Sequence, residues 1–351
     1  MTDIEMEGAV CPVPLPHNKQ IVMGHGSGGK MSADLVSKIF MPVFNNPYIN
    51  SGDDGAVFDV PAGRMAISTD SHVVSPLFFP GGDIGHLSVC GTVNDVAVMG
   101  AKPLYMTAGF VIEEGFSFDV LQTIVNSMQK AADEAGVSII SGDTKIVQRG
   151  HADGIYINTT GIGTLFPGIN INGREAKPGD MVILSGNLGD HGIAVLGARG
   201  ELGFESDIQS DSAPLNHMIE SIIKISDEIH VMRDPTRGGL ATTLNEIANQ
   251  SQVCITINED SIPVQPSVAS VCEMLGFDPL YIANEGKIVV IVSERDSQKV
   301  LAEMKKSKYG KNSVVIGLVS ESPKNRVLMK TNFGSTRVVD VLTGELLPRI
   351  C

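Results

Sequence analysis

The sequence predicts a two-domain protein of the α/β class, and three observations carry that reading. Its 351 residues are more than one hydrophobic core usually organises. Short apolar segments ending in Gly and Asp alternate with amphipathic helical patterns along most of the chain. A polar connection over 168–177, followed by Pro178-Gly179-Asp180, separates two such runs. The expected division is an arm with a Gly-rich loop over 1–44, a first domain over 45–167, a second over 168–325, and a hairpin with a mobile tail over 326–351.

Composition narrows the function. With 26 basic and 40 acidic residues the net charge is −14, which disfavours a nucleic-acid surface. Residues 1–8 lack the basic start and apolar core of a signal peptide, and no apolar run reaches membrane-spanning length. The 5 cysteines form no C-x-x-C pair and lie far apart, a pattern that suits a reducing cytoplasm.

Taken in order, residues 1–20 read as a Pro-rich arm and Ile21-Val22-Met23 as a short strand. Gly24-His25-Gly26-Ser27-Gly28-Gly29-Lys30 follows, ahead of a helical pattern carrying Leu35, Val36, Ile39 and Phe40. The loop has a Walker A skeleton, but Met31 stands where Ser or Thr would hold Mg²⁺. It also has the spacing of a dinucleotide fingerprint without a clear βαβ unit. A flexible linker and a loop that covers phosphates with backbone N–H groups both fit.

The first domain repeats one device. Ser51 to Val57 carries Asp53 and Asp54, and the strand Met65–Ser68 runs into Asp70. Asp83 is placed to cap a helix through Met99 that bears Leu87, Cys90, Val93 and Val96, with Asn94-Asp95 in its body. Ser117 precedes an amphipathic helix closed by Gly136, and the strand Val137–Ile140 delivers Ser141-Gly142-Asp143-Thr144-Lys145. An Asp beside a Gly is commonly a turn residue. Five of them, Asp53, Asp54, Asp70, Asp95 and Asp143, at strand ends and polar breaks suggest carboxylates sharing Mg²⁺ with nucleotide phosphates.

In the second domain the strand Met181–Leu184 leads into the Gly-rich Ser185–Gly192, and Leu215–Ile229 reads as an amphipathic helix. Arg233 to Gly239 fits an anion site at a helix start or a solvated loop. Glu285, in the turn Asn284-Glu285-Gly286 before the apolar run Ile288–Val292, fits a general base or a turn residue. A hairpin is expected around Asn332-Phe333-Gly334. The sequence closes on Pro348-Arg349-Ile350-Cys351, a thiol that a mobile end could carry into a pocket. There Arg349 would serve as a charge-paired anchor and Ile350 as an apolar plug.

These motifs, in this order, resemble the HypE family of hydrogenase maturation factors over essentially the whole chain. The Gly/Asp set alone is similar to the wider superfamily of aminoimidazole ribonucleotide synthetase (PurM), selenophosphate synthetase and thiamine-phosphate kinase. The ending Pro348-Arg-Ile-Cys351 narrows it to HypE. Two departures, Ser141 where relatives carry Gly and Pro235 where Ala is common, remove no functional group.

The resemblance implies a PurM-like fold, a homodimer through the first domains, and ATP and Mg²⁺ as cofactors. It implies that the carbamoyltransferase HypF loads Cys351, that ATP drives dehydration of the carbamoyl group to a thiocyanate, and that the cyano group passes to iron on a HypC–HypD complex. Asp53, Asp54, Asp70, Asp95 and Asp143 would then hold metal and phosphates, with Asn94, Gly26, Gly28 and Lys30 also at the nucleotide. Cys351, Glu285 and Lys145 would be catalytic, with His86 and His191 next in line. Selenophosphate synthetases place a reactive Cys or selenocysteine before the loop lysine, whereas Gly29 precedes Lys30 here. A carrier protein using Cys351 as a ligand would need none of the Asp set.

Overall fold

The computed structural model describes residues 19–27, 29–51, 55–200, 207–341, 347 and 349–351. Two sheets organise them. The first has four strands, β1 (Met65–His72), β4 (Ala101–Glu113), β5 (Ser138–Val147) and β6 (Ile155–Leu165), in the order β1-β6-β4-β5. Only the β4–β5 pair is parallel. A two-residue ribbon, β2 (Phe78–Phe79) with β3 (Gly82–Asp83), precedes α3 (Ile84–Val98). α3 and α4 (Phe118–Ala135) pack together, and both contribute to the core that lines one face of this sheet.

Local sequence explains these elements. Asp83 caps α3 as expected, accepting from Gly85 N at 2.7 Å and His86 N at 3.0 Å. α3 is buried along nearly its whole length, so its apolar residues need no single stripe. α4 ends where Gly136 takes a left-handed φ of 70°. Ser117 occupies the N-cap of α4 but makes no side-chain capping bond. The expected strand over 21–23 is instead one bridge, Gln20 to Ser117, followed by a 3₁₀ turn over Met23–Gly26. α1 (Lys30–Leu35) continues as a π turn through Phe40, and α2 (Pro47–Asn50) follows.

The second sheet has seven strands: β7 (Met181–Leu184), β8 (Ile229–Arg233), β9 (Cys254–Asn258), β10 (Val289–Val292), β11 (Val314–Ser320), β12 (Arg326–Lys330) and β13 (Thr336–Val339). α6 (Asn216–Ile225) and α9 (Glu294–Met304) share a core with Ile183, Val290 and Val292. α7 (Gly239–Ser251) shares another with Val182, Leu184, Val289 and Ile291. Both faces are covered, which is why β7 and β10 read as continuous apolar runs. α5 (Asp190–Ala198) and α8 (Pro266–Leu275) build a smaller cluster beside it.

Two boundaries are corrected. The helix expected over 215–229 stops at Ile225, because Ile229 opens β8. The hairpin after 325 forms as β12–β13, yet β12 pairs in parallel with β9. The division at 325/326 therefore runs through the second sheet and separates no unit. The domains are locked at α3, whose Ala97 and Val98 join the core of α6 and α9.

Candidate active site

The described end of the chain is docked, although a mobile tail was expected. Arg349 donates from Nε to Val73 O at 3.1 Å and pairs with Asp153. Its carbonyl accepts from Ser75 N and from Arg199 Nη2, each at 3.1 Å. Ile350 is buried in the first-domain core, and Val73 N donates to Cys351 O at 3.2 Å. Arg349 and Ile350 thus act as the anchor and plug anticipated for them.

His191 fixes the docking from the second domain, with Nε2 2.8 Å from Ile350 O and Nδ1 2.8 Å from Ser210 Oγ. Burial lowers its pKa, so the ring is neutral. A carbonyl only accepts, so Nε2 carries the proton and Nδ1 accepts from the serine. His191 therefore positions the tail.

This docking puts the Cys351 thiol into a cavity of about 270 Å³ between the domains. β1 supplies Asp70, α3 supplies Gly91 and Asp95, the 233–237 loop supplies Asp234 and Arg237, and the 284–286 turn supplies Glu285. A Cβ on Gly91 would lie 3.7 Å from Asp70 Oδ2 and 3.9 Å from Glu285 Oε2, so the two carboxyls converge on that bare point of α3. Arg237 Nη2 reaches Cys351 Sγ at 3.4 Å.

Crowding sets the protonation. Burial and then the neighbouring Asp95 push Asp70 up to about 6, against the pull of Arg237. Burial also raises Asp95, which accepts from Ser68 Oγ at 2.7 Å. Burial and Asp95 push Asp234 up to about 7. Burial, then Asp234 and Asp211, raises Glu285 well above the carboxylate range, and its Oε1 has no partner among the described residues. The same burial, with Glu285 nearby, pushes the Cys351 thiol up to about 12. A proton is therefore available to be held and moved within this cluster.

The turn that carries Glu285 explains its neighbours' identities. Asn284 accepts from Gly189 N at 2.8 Å and donates to Pro235 O at 3.1 Å, joining three segments. A Cβ on Gly286 would sit 1.7 Å from Asp211 O, so only glycine fits. Asp211 accepts from Glu285 N at 3.1 Å and from Lys287 Nζ at 2.8 Å. Burial would raise Asp211, but the Lys287 ammonium and the Glu285 backbone N–H hold it low and charged. Asn94 donates to Ala213 O at 3.0 Å and Glu285 O at 3.3 Å, and accepts from Leu215 N at 2.8 Å. Its amide is committed to the domain junction, where phosphate contact was expected.

Asp143 and Lys145 lie elsewhere. They sit on β5, the opposite edge of the sheet from β1, 3.8 Å apart and with side chains 73% and 71% exposed. Three strand spacings put them about 14 Å from the Asp70 edge. The carboxylates expected to converge are thus split within one chain. Beside Asp143 and Thr144 is an apolar pocket of about 90 Å³ lined by Phe40, Phe44, Phe110 and Ile139. Gly26 is seated against the same strand, since a Cβ there would meet Ile146 at 2.9 Å. Lys30 opens α1. Asp53, Asp54 and Gly28 lie outside the described residues. His86 faces Ser212 Oγ at 3.0 Å and Cys90 at 3.7 Å, outside the cavity lining.

Similarity to known proteins agrees with this geometry. The families described as AIR synthase related protein, N-terminal domain and C-terminal domain, match residues 52–165 and 177–330. The carbamoyl dehydratase HypE of Cupriavidus necator is 52% identical over 333 residues, 95% of each chain. The chain belongs to the HypE family. A crystal structure of hydrogenase maturation protein HypE in complex with ATP is 46% identical, with a TM-score of 0.91 over 94% of this chain and 99% of that one. A chain of a HypE–HypF complex is 50% identical, with a TM-score of 0.78 over 88% of this chain and 99% of that one.

This HypE-family chain also uses residues that sequence reading did not single out. Asp234 and Arg237 were legible as an anion loop, but their place beside Cys351 depends on how the domains meet. Asp211 and Lys287 carry no motif signal of their own. Among the described residues no group of three or more His, Cys, Asp or Glu is arranged to hold a metal. The Asp70–Asp95 pair is nevertheless a fitting half-site. Two buried carboxyls that share a proton, with Asp70 raised first by burial and then by Asp95, favour a hard cation in that proton's place.

Proposed function

We propose that the chain dehydrates a carbamoyl group on its own Cys351 to a thiocyanate at the expense of ATP, supplying cyanide ligands for [NiFe]-hydrogenase. The observation that carries this reading is the Cys351 thiol held inside a cavity with the buried Glu285 carboxyl, whose Oε1 has no partner among the described residues. The amide oxygen attacks the γ-phosphorus and the bond to ADP breaks. The C–O bond then breaks, phosphate leaves with that oxygen, and nitrogen gives up both protons as the C≡N bond forms. Glu285 in its ionised form accepts one of those protons and the departing phosphate carries away the other, and the unmet hydrogen-bonding capacity of Glu285 Oε1 suits an N–H donor.

Asp70 and Asp95 would hold Mg²⁺, with Asp53 and Asp54 as further ligands, and the ion would neutralise phosphate charge. The nucleotide lies along β5, where Gly26, Gly28, Lys30 and Asp143 serve it and the apolar pocket is at hand. HypF loads Cys351 and a HypC–HypD complex accepts the product, in the cytoplasm.

A homodimer completes the site. The face of the first sheet away from α3 exposes Met65, Ile67 and Val111, with Ile67 72% exposed. A second copy on this face buries them and brings its β5 edge toward the first copy's cavity. Lys145 would then act from the partner chain.

The test is mass spectrometry of the C-terminal peptide after incubation with carbamoyltransferase, carbamoyl donor and ATP. Wild type is expected to lose one water from the carbamoylated peptide only when ATP is present. Asp95→Asn should accumulate the carbamoyl form. A peptide that stays carbamoylated in the wild type under full conditions defeats the reading.

A further inference from the structure

The cavity sets Arg237, Arg233 and several carboxyls around one sulfur. Arg237 reaches the sulfur with its guanidinium, while the carboxyls of Glu285, Asp234 and Asp70 line the same space. A carbamoyl group has the matching asymmetry, with an oxygen that only accepts and a nitrogen that donates twice. Its carbonyl oxygen is two bonds from Sγ, within the sweep of a guanidinium already touching that sulfur. Guanidinium cannot serve the N–H side because it has no acceptor.

We infer that Arg237 reads the carbonyl oxygen of the group on Cys351 and so sets which way that group faces. The oxygen points at the guanidinium and the nitrogen at Glu285 and its neighbours. This rests on the dehydratase reading and adds a specificity determinant to it. The reversed rotamer would take the oxygen away from the guanidinium and leave the N–H₂ donors facing a cation that has no acceptor. Arg237 is placed for this by Gly238 and Gly239, both left-handed, with φ of 78° and 60°. They turn the loop into α7 and leave the preceding side chain at the cavity. A bidentate fork also suits an oxygen about to carry a phosphoryl group, which lysine would hold only as a point charge.

The test uses full-length protein carrying ¹³C-carbamoyl on Cys351, in single-turnover reactions with ATP. Arg237→Gln should accept the carbamoyl group normally yet form thiocyanate about 100-fold more slowly, as misorientation of a reacting group does. Arg237→Lys should recover part of that loss. Infrared spectra supply a readout that a merely structural role would not move. The ¹³C=O stretch should shift to higher frequency in Arg237→Gln, where the oxygen loses its donor, and return part-way in Arg237→Lys. If wild type forms thiocyanate while both variants match it in rate and in stretch, the assignment to Arg237 is overturned. If wild type itself forms none, the dehydratase reading is what fails.

Discussion

The two edges of the first sheet are built from the same kind of strand and end differently. At the β1 edge the tail docks beyond the strand, α3 and the second domain close over Asp70, and the result is a cavity holding Cys351. At the β5 edge Asp143 and Lys145 project from the outermost strand of the sheet beside the segment that carries Gly26 and Phe40, and both are mostly exposed. One edge is a closed polar pocket and the other is a set of exposed charged groups beside an apolar one. The contrast teaches that burial, not residue type, separates an acid–base centre from a binding edge. Glu285 and Asp234 are raised by desolvation, and the exposed pair on β5 has no such environment.

The largest effect that would sharpen this contrast is at the buried edge. Glu285→Gln keeps the shape of the side chain and removes its capacity to take a proton. Thiocyanate formation should fall by about two to four orders of magnitude while carbamoylation by the partner continues. Quantifying both peptides by mass spectrometry checks it, and a normal dehydration rate would move the proton acceptor to Asp234.

Much of this contrast was hidden in the sequence. The elements were legible because their signals are local. Asp83 caps α3, Gly136 stops α4, and the apolar run before Val292 is a strand covered on both faces. The motif carrying Glu285 was equally plain, because its asparagine and glycine are required by contacts of their own turn. What could not be read was distance across a sheet. Asp70, Asp95 and Asp143 share one sequence signature, yet strand order sends Asp143 to the far edge. Asn94 looked like a nucleotide ligand because a buried amide needs a partner. Its partners turned out to be the backbone of the second domain. Arg237 was visible only as a basic loop residue, and its meaning depends on a tail more than a hundred positions away.

A subunit-mixing experiment gives the next effect in size, because it tests whether the open edge serves a different chain from the closed one. Glu285→Gln and Lys145→Ala should each be nearly inactive alone. In a twofold dimer whose sites take Glu285 from one chain and Lys145 from the other, mixed dimers regain one intact site. Equal mixing with subunit exchange should then restore about a quarter of wild-type activity. Ile67→Asp, on the face we assign to the dimer, should abolish this rescue and shift the mass in sedimentation to that of a monomer. Rescue absent in a mixture shown to contain mixed dimers would place both residues in one chain's site.

The smallest effect probes the finished edge through the thiol itself. Burial first of all raises Cys351 to about 12, so the docked form holds essentially no thiolate at neutral pH. Alkylation by iodoacetamide should therefore proceed only from chains whose tail has come out, where an ordinary cysteine titrates near a pKa of about 8.5. The sign follows from the direction of the shift. Raising the pKa lowers the thiolate fraction at every pH below it, so docking protects and undocking exposes. Ile350→Asp removes the apolar plug and sets a carboxylate against the first-domain core, which favours the undocked tail. Its Cys351 should be alkylated roughly ten times faster than wild type at neutral pH, with a rate that climbs through the free-thiol pKa of about 8.5 and then levels. His191→Ala, which removes the donor to the Ile350 carbonyl, should move the rate the same way by a smaller factor. Equal alkylation rates in wild type and both variants would mean that the pocket does not retain the tail in solution.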